Sequence, residues 1–419
     1  MSLVLINIQV IAPDCPLHQA TSVGINQGVF VDPTSLIGAD VFDGQGAFLI
    51  AGLIDLRVNL REPGLEHKGT IASETRAAIH GGVTTVVATP NTDPVVDSPA
   101  DVRLILERAK TSGLCRVLPT AMLTQGGKGN HLSEMAALID AGCVALAQGN
   151  QPFGSRKIEF NALKYAQSLG IRIILDPESQ DFAGGCAHSG QFGIGLGLSL
   201  NSPLCEILGL GSDLDLVEAT GVNAHFSRLT TKTAVVRLRE AKAKGLNVSC
   251  DVSLAHLIYS ESAISSLDPN FHLERPLRTE VDRQALIDGV KDGTIDVIVS
   301  DHSPHETGAK LAPFPETETG MSLIEGVLHL LIQLDQSGDL PFECSLKAMS
   351  SHAARLIDRD DLGQIIYGHP ADCVLFNPSK STTFKEPNWT SAGSNSPLFG
   401  KTLPGAIIAA WIDGQEVTI

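Results

Sequence analysis

The chain has 419 residues, more than an ordinary single domain but within reach of a barrel carrying a smaller unit. Hydrophobic residues make up 43% and charged residues 18%, a globular balance that excludes wholesale disorder. A formal net charge of −17 predicts an acidic solvated surface, with neither nucleic acid nor a membrane as partner.

Taken in chain order, residues 1–50 read as short alternating strands punctuated by Gly24, Gly28, Gly44 and Gly46. From residue 51, β-branched runs at 53–59, 84–90, 116–122, 144–148, 172–176, 222–227, 247–253 and 296–301 read as strands. Helical periodicity fills the intervals at 73–80, 99–112, 133–141, 156–169, 203–219, 230–244 and 281–291. Eight strands alternating with helices predict an α/β fold, a (β/α)8 TIM barrel over 51–361. In such barrels chemistry collects at the C-terminal ends of the strands. There lie Arg57, Asn59, Asn91, Gln148, Asp176, His225, Asp251 and Asp301.

Residues 362–419 return to strands, most clearly at 371–376 and 406–411. Neither end is long enough for a sheet of its own, so 1–50 and 362–419 are expected to pair into one small β-sandwich domain. The Ser-, Asn-, Pro- and Gly-rich stretch 380–400 reads as a surface loop, and 190–197 as a flexible one. Gly126–Asn130 lacks the Lys-Ser/Thr of a phosphate-binding loop. Eight scattered cysteines without a Cys-x-x-Cys pair suit reduced, buried thiols. With no basic leader or apolar span, a cytoplasmic location is expected.

The stretch Leu53–Gly64 has the form of a metal-binding strand whose ligands are replaced. His-x-His at the end of an apolar strand would put two imidazoles on one face, because strand side chains alternate. Here those positions hold Arg57 and Asn59. A guanidinium stays protonated and has no lone pair to give, so Arg57 cannot stand in for a histidine on a dication. It could instead bridge Asp301 or Asp176 and compensate their charge.

Several motifs together carry a family resemblance: Leu60-Arg61-Glu62-Pro63-Gly64, Gly81-Gly82-Val83-Thr84-Thr85, Pro90-Asn91-Thr92, Pro276-Leu277-Arg278, Asp301-His302-Ser303-Pro304-His305 and Ser396-Pro397-Leu398-Phe399-Gly400. On these the chain resembles dihydroorotases of the amidohydrolase superfamily over nearly its whole length. It resembles most the non-catalytic homologues that accompany bacterial aspartate carbamoyltransferase. The resemblance implies an amidohydrolase-type barrel, which in the active enzymes holds two zinc ions.

Carried over residue by residue, the resemblance puts Arg57 and Asn59 at the His-x-His positions. The bridging carboxylate position falls within Ala147-Gln148-Gly149-Asn150, and Asp176 stands at a further histidine position. His225 and Asp301 are retained, Asp301 at the position of the catalytic aspartate. No catalytic residue, metal or other cofactor is therefore expected. Arg61 and Asn91 match the residues that hold the substrate carboxylate. Glu274-Arg275-Pro276-Leu277-Arg278 departs from the family's Asn-Pro-Pro-Leu-Arg, and His302 and His305 are expected to pack or hydrogen-bond rather than bind metal.

The implied function is a non-catalytic dihydroorotase-like subunit, oligomeric, supporting the catalytic chains of aspartate carbamoyltransferase in de novo pyrimidine biosynthesis. Two alternatives stand beside it. One is an active dihydroorotase or other cyclic amidohydrolase with an altered, at most mononuclear zinc site on Asp176, His225 and Asp301. The other is a homo-oligomeric adaptor of the hydantoinase-like type.

Overall fold

Eight parallel strands form the barrel wall: Leu53–Val58, Val83–Ala88, Arg116–Met122, Ala145–Ala147, Ile173–Leu175, Ala224–Phe226, Val248–Ser253 and Val297–Val299. The computed structural model describes residues 2–149, 151–385 and 387–417. Each strand pairs with the next in chain order, as the sequence pattern predicts. The wall is covered on both faces, which is why these segments read as near-continuous apolar runs rather than alternating ones.

Between the first and eighth strands the seam is closed differently. A single parallel bridge joins Val58 to His302, and the Asn59 amide donates to the His302 carbonyl at 2.9 Å. Deeper in the seam the buried Asp55 carboxylate takes the place of a backbone acceptor, receiving the Ser300 amide at 3.2 Å and the Arg57 amide at 3.1 Å. Burial pushes the Asp55 carboxyl up to about 7.

The outer helices start where the sequence supplies caps. Thr70 and Ser98 each close a reciprocal box with the residue three positions on, Ser73 and Asp101, opening Ile71–His80 and Pro99–Ser112. Ser155, Thr231 and Thr279 cap Arg156–Leu169, Lys232–Ala243 and Glu280–Lys291. Each such cap contributes about 1 kcal/mol. Gly170 and Gly221 end their helices in the left-handed conformation, which costs a glycine nothing.

The eighth interval holds three helices that periodicity did not disclose: Val327–Gln336, Phe342–Ala348 and Ser351–Leu356. The first has seven of its ten residues buried, and its only polar stripe, His329, Gln333 and Gln336, is narrow, with His329 itself buried. Ala353 and Ala354 of the last pack with Ile54, Leu56, Val87, Val297 and Val299 of the barrel wall.

The chain ends pair, as expected, into one unit. Its hydrogen bonding runs continuously through seven strands rather than dividing into two sheets. The order is Gln415–Val417, Thr402–Ile412, Cys373–Thr383, Asp40–Ala51, Ser2–Ile11, Ser22–Asn26 and Val29–Val31. Only the pairing of Ser2–Ile11 with Asp40–Ala51 is parallel. Trp411, Phe30, Leu5, Ile25 and Leu49 fill its core, and Phe42 meets Trp411 edge-on at 5.5 Å.

Two loop expectations are corrected. The stretch 380–400 is not a surface loop: its first residues complete Cys373–Thr383, and Ser391, Asn395, Ser396 and Leu398 are buried. Two carboxylates hold it inside. Glu74 accepts from the Ser391 hydroxyl and the Ala392 amide, and Glu325 from the amides of Thr390 and Ser391. Its polar composition thus serves internal acceptors rather than water. Gly190–Gly197 includes a short helix, Gln191–Gly195, flanked by the paired segments Ala187–His188 and Leu200–Asn201.

Candidate functional site

The polar residues gathered at the C-terminal ends of the strands form an ion-pair cluster around two guanidinium groups. Arg57, at the end of the first strand, donates from Nε to Asp301 at 3.0 Å and from Nη1 to Asp176 at 3.5 Å. Both contacts expected of it are present. Arg228 follows Ala224–Phe226 with a positive φ of 57°, which turns its side chain into the same space. Its Nε and Nη2 bracket Asp176 Oδ1 at 3.1 and 2.9 Å, and Nη1 donates to Glu274 at 2.6 Å. Asp301 lies 4.0 Å from Arg228 on its other oxygen.

The electrostatics follow from this placement. Burial would raise the Asp176 carboxyl, but Arg228 and Arg57 outweigh it and hold the group well below the usual carboxylate range. Glu274 is lowered by the same two cations against its own burial. For Asp301 burial wins, helped by Glu274, and its carboxyl is raised despite both arginines. Two cations thus stand among three carboxylates, and their Coulombic balance is nearly closed without any further ion.

The remaining positions are committed elsewhere. His225 has both ring nitrogens engaged, Nδ1 with Ser249 and Nε2 with Asp251, each at 2.9 Å. Asp251 also accepts from the Ser227 hydroxyl and the Arg228 amide. Asn59 donates to the His302 carbonyl at 3.0 Å and accepts from Thr89 at 2.7 Å. Gln148 turns away to Thr124 and the Gly127 carbonyl. Gly149 has φ 68°, and a Cβ there would stand 2.6 Å from the Asn91 amide oxygen. No side chain able to bridge two metals fits at Gly149 while Asn91 stays in place. Asn150 lies outside the described residues.

These residues do not fit a zinc pair. Each dication would sit within a few ångströms of guanidinium groups that cannot release a proton. Among the described residues, no group of three or more His, Cys, Asp or Glu is arranged to hold a metal ion. The cluster can do something else: it fixes the barrel mouth in one arrangement with its charges paired.

The cluster borders a cavity of about 420 Å³, also lined by Asn59, Arg61, Asn91 and the 303–321 segment. Arg61, with φ 66°, serves that segment directly. Nε donates to the Pro304 carbonyl at 3.0 Å and Nη2 to Ser303 at 2.8 Å, with His305 Nε2 3.0 Å away. Burial, Arg61 and Lys68 push the His305 imidazole down to about 3, so it is neutral. Lys68 pairs with Glu318 across the same loop. His302 is buried against Glu74 at 2.7 Å, a hydrogen-bonding histidine as expected. Asn91 faces the cavity beside Arg61.

Sequence reasoning brought together Arg57, Asp176 and Asp301 but missed Arg228 and the role of Glu274. The signal was available as charge bookkeeping. Two buried carboxylates without metal need two cations, Arg57 supplies one, and Arg228 stands just past the strand that carries His225.

Comparison with known proteins places these features in a family. The model for the dihydro-orotase-like family matches residues 46–234. A dihydroorotase-like protein of Pseudomonas aeruginosa is 41% identical over 414 residues, covering 97% of each chain. The dihydroorotase of Aquifex aeolicus is 34% identical over 421 residues, covering 100% of this chain and 99% of its own. Among solved structures, the L-hydantoinase (dihydropyrimidinase) of Arthrobacter aurescens matches with a TM-score of 0.89 at 17% identity, over 100% of this chain and 97% of that one. At that identity the likeness is one of fold.

Proposed function

This chain belongs to the dihydroorotase-like family of amidohydrolases, and we propose that it is a non-catalytic member that supports aspartate carbamoyltransferase in pyrimidine biosynthesis. The observation that carries the non-catalytic half is the pairing of Arg57 and Arg228 with Asp176, Asp301 and Glu274. Opening a cyclic amide in this family's manner needs a metal-held hydroxide and a Lewis acid on the carbonyl. Guanidinium groups supply neither, and they occupy the carboxylates that would hold the ions.

The partner half rests on the retained scaffold and on the resemblance to homologues that accompany the carbamoyltransferase. Barrel, sheet and loop motifs are kept around a mouth whose chemistry is cancelled, which favours binding as the activity under selection. Cytoplasmic residence belongs to the same reading. No helix among the described residues is long and apolar enough to cross a membrane.

The test is purification of the carbamoyltransferase catalytic chains with and without this protein. Co-migration in one larger assembly, with a higher transferase rate than the catalytic chains alone, is the expected result. Separate migration together with a fully active transferase would overturn the partner role. Near-stoichiometric zinc with turnover of dihydroorotate would replace the whole proposal with the altered-enzyme reading.

A further inference from the structure

We propose that a second cavity at the barrel mouth binds a basic amino acid, its carboxylate on Arg275 and an ammonium on the pair Glu159 and Asp213. The cavity has a volume of about 320 Å³, the scale of a small-molecule site. It opens between the segments that follow the strands Ala145–Ala147 and Ile173–Leu175, and it reaches the helices Arg156–Leu169 and Leu204–Thr220. Only Arg228 and Glu274 are shared with the cavity that holds Arg61 and Asn91. This inference does not depend on the carbamoyltransferase reading.

Charge selects a cation. Six carboxylates and three guanidinium groups line the cavity. Asp176 and Glu274 are already balanced by Arg228 and Arg57. That leaves Glu159, Glu178, Asp181 and Asp213 against Arg156 and Arg275. Glu159 and Asp213, 3% and 5% exposed, share a single cation: Arg156 Nη1 donates to Glu159 Oε2 and to Asp213 Oδ1, each at 2.6 Å. No donor among the described residues reaches the other oxygen of either carboxylate. One guanidinium does not balance both. Burial and Glu159 push the Asp213 carboxyl up to about 7 despite Arg156. An ammonium set against the free oxygens closes this deficit.

The opposite signal comes from Arg275, which is 6% exposed. Its Nη1 donates to the Pro177 carbonyl at 2.9 Å, whereas Nη2 is buried with no hydrogen-bond partner among the described residues. The Glu178 carboxylate stands 3.7 Å from Nη2, too far for a hydrogen bond. A buried donor without an acceptor is costly, and a ligand carboxylate relieves it with a charge-assisted bond. Phe153 and Leu175 add apolar wall suited to methylene groups. A divalent cation is not served here, because no three His, Cys, Asp or Glu among the described residues converge on one point. A diamine would satisfy the carboxylates and leave Arg275 bare, and a dicarboxylate would do the reverse. Lysine, ornithine and arginine each carry two cationic groups and one carboxylate, and so serve both ends.

The test is equilibrium dialysis of the purified full chain against radiolabelled L-lysine, L-ornithine and L-arginine. Unlabelled cadaverine, which is lysine without its carboxylate, and glutarate, a dicarboxylate, are the competitors. At least one of the three amino acids is expected to bind saturably, one molecule per chain, and about tenfold or more tighter than either competitor. Asp213→Asn and Arg275→Gln should each weaken that binding about tenfold or more. Glu343→Gln, at an exposed position outside the cavity, should leave it unchanged. Should a buried variant fail to fold, the ranking of amino acid against competitors on the wild-type chain decides the matter alone. No retained label from any of the three at millimolar concentration overturns the proposal. So does cadaverine competing as tightly as the amino acid itself, which would make this a site for amines. Binding that survives both substitutions overturns it as well, since the ligand would then sit elsewhere.

Discussion

Replacing Arg57 by alanine removes one of the two cations at the barrel mouth, and its cost can be worked from the contacts. The side chain is 8% exposed and serves two carboxylates, Asp176 at 7% and Asp301 at 24%. Asp176 keeps its double contact with Arg228, so the loss falls mainly on Asp301, left with Arg228 at 4.0 Å. Breaking a buried pair by removing one partner costs about 3–5 kcal/mol. The partial exposure of Asp301 places this case at the low end, about 3 kcal/mol. With an unfolding entropy of about 2.1 cal/mol/K per residue, a chain this size loses about 3–4 °C in melting temperature. The Asp301 carboxyl, already raised, rises further without Arg57. A carboxyl raised by folding favours the folded state while protonated and disfavours it once ionised. The deficit of the variant should therefore shrink as pH falls and the group takes up its proton. Thermal unfolding of wild type and Arg57→Ala at pH 5 and pH 8 reads both effects. Equal melting temperatures at pH 8, or a deficit that grows toward pH 5, would refute the assignment of Arg57 as the compensating charge.

Restoring Arg57→His and Asn59→His together should yield neither two zinc ions per chain nor turnover of dihydroorotate. His225 stays tied to Ser249 and Asp251, and Gly149 leaves no room for a bridging group beside Asn91; elemental analysis and a turnover assay on the double variant check this. A second outcome concerns pH in the wild type. Burial pushes Asp55 and Glu325 each up to about 7, so each contributes stability that is complete below its ordinary pKa and is lost as pH rises through about 7. Melting temperature should fall as pH rises from about 5 to about 7 and level off above that, and Glu325→Gln should flatten that fall in a pH series of thermal scans.

The strands of the barrel were legible because each is a short apolar run bounded by polar residues, and five of the eight lead to a helix capped by Thr70, Ser98, Ser155, Thr231 or Thr279. Ser98-Pro99 and Thr231 mark helix starts in the bare sequence as clearly as in space. Val327–Gln336 was missed because seven of its ten residues are buried and its polar stripe, His329, Gln333 and Gln336, is narrow. The buried course of 389–398 was hidden for the opposite reason: its serines and asparagine look solvent-seeking until Glu74 and Glu325 appear beneath them. At the site, Arg57 announced itself by standing where a ligand belongs. Arg228 did not, because its position depends on a positive φ just past a strand, and local pattern does not encode which way such a residue turns.

The seven-stranded sheet sets a schedule for the chain as it leaves the ribosome. Asp40–Ala51 is an inner strand, between Ser2–Ile11 and Cys373–Thr383, and it runs almost directly into the first barrel strand. Its second neighbour is encoded more than three hundred residues later. At roughly 5–20 residues per second, synthesis of the barrel takes on the order of 20–60 s. Throughout that interval Leu49 and Ile50 belong to an open edge, the kind of edge that recruits strands from other chains. Emergence of Cys373–Thr383 ends that exposure, so a nascent chain stalled before Cys373 carries a completed barrel and an unfinished, aggregation-prone sheet.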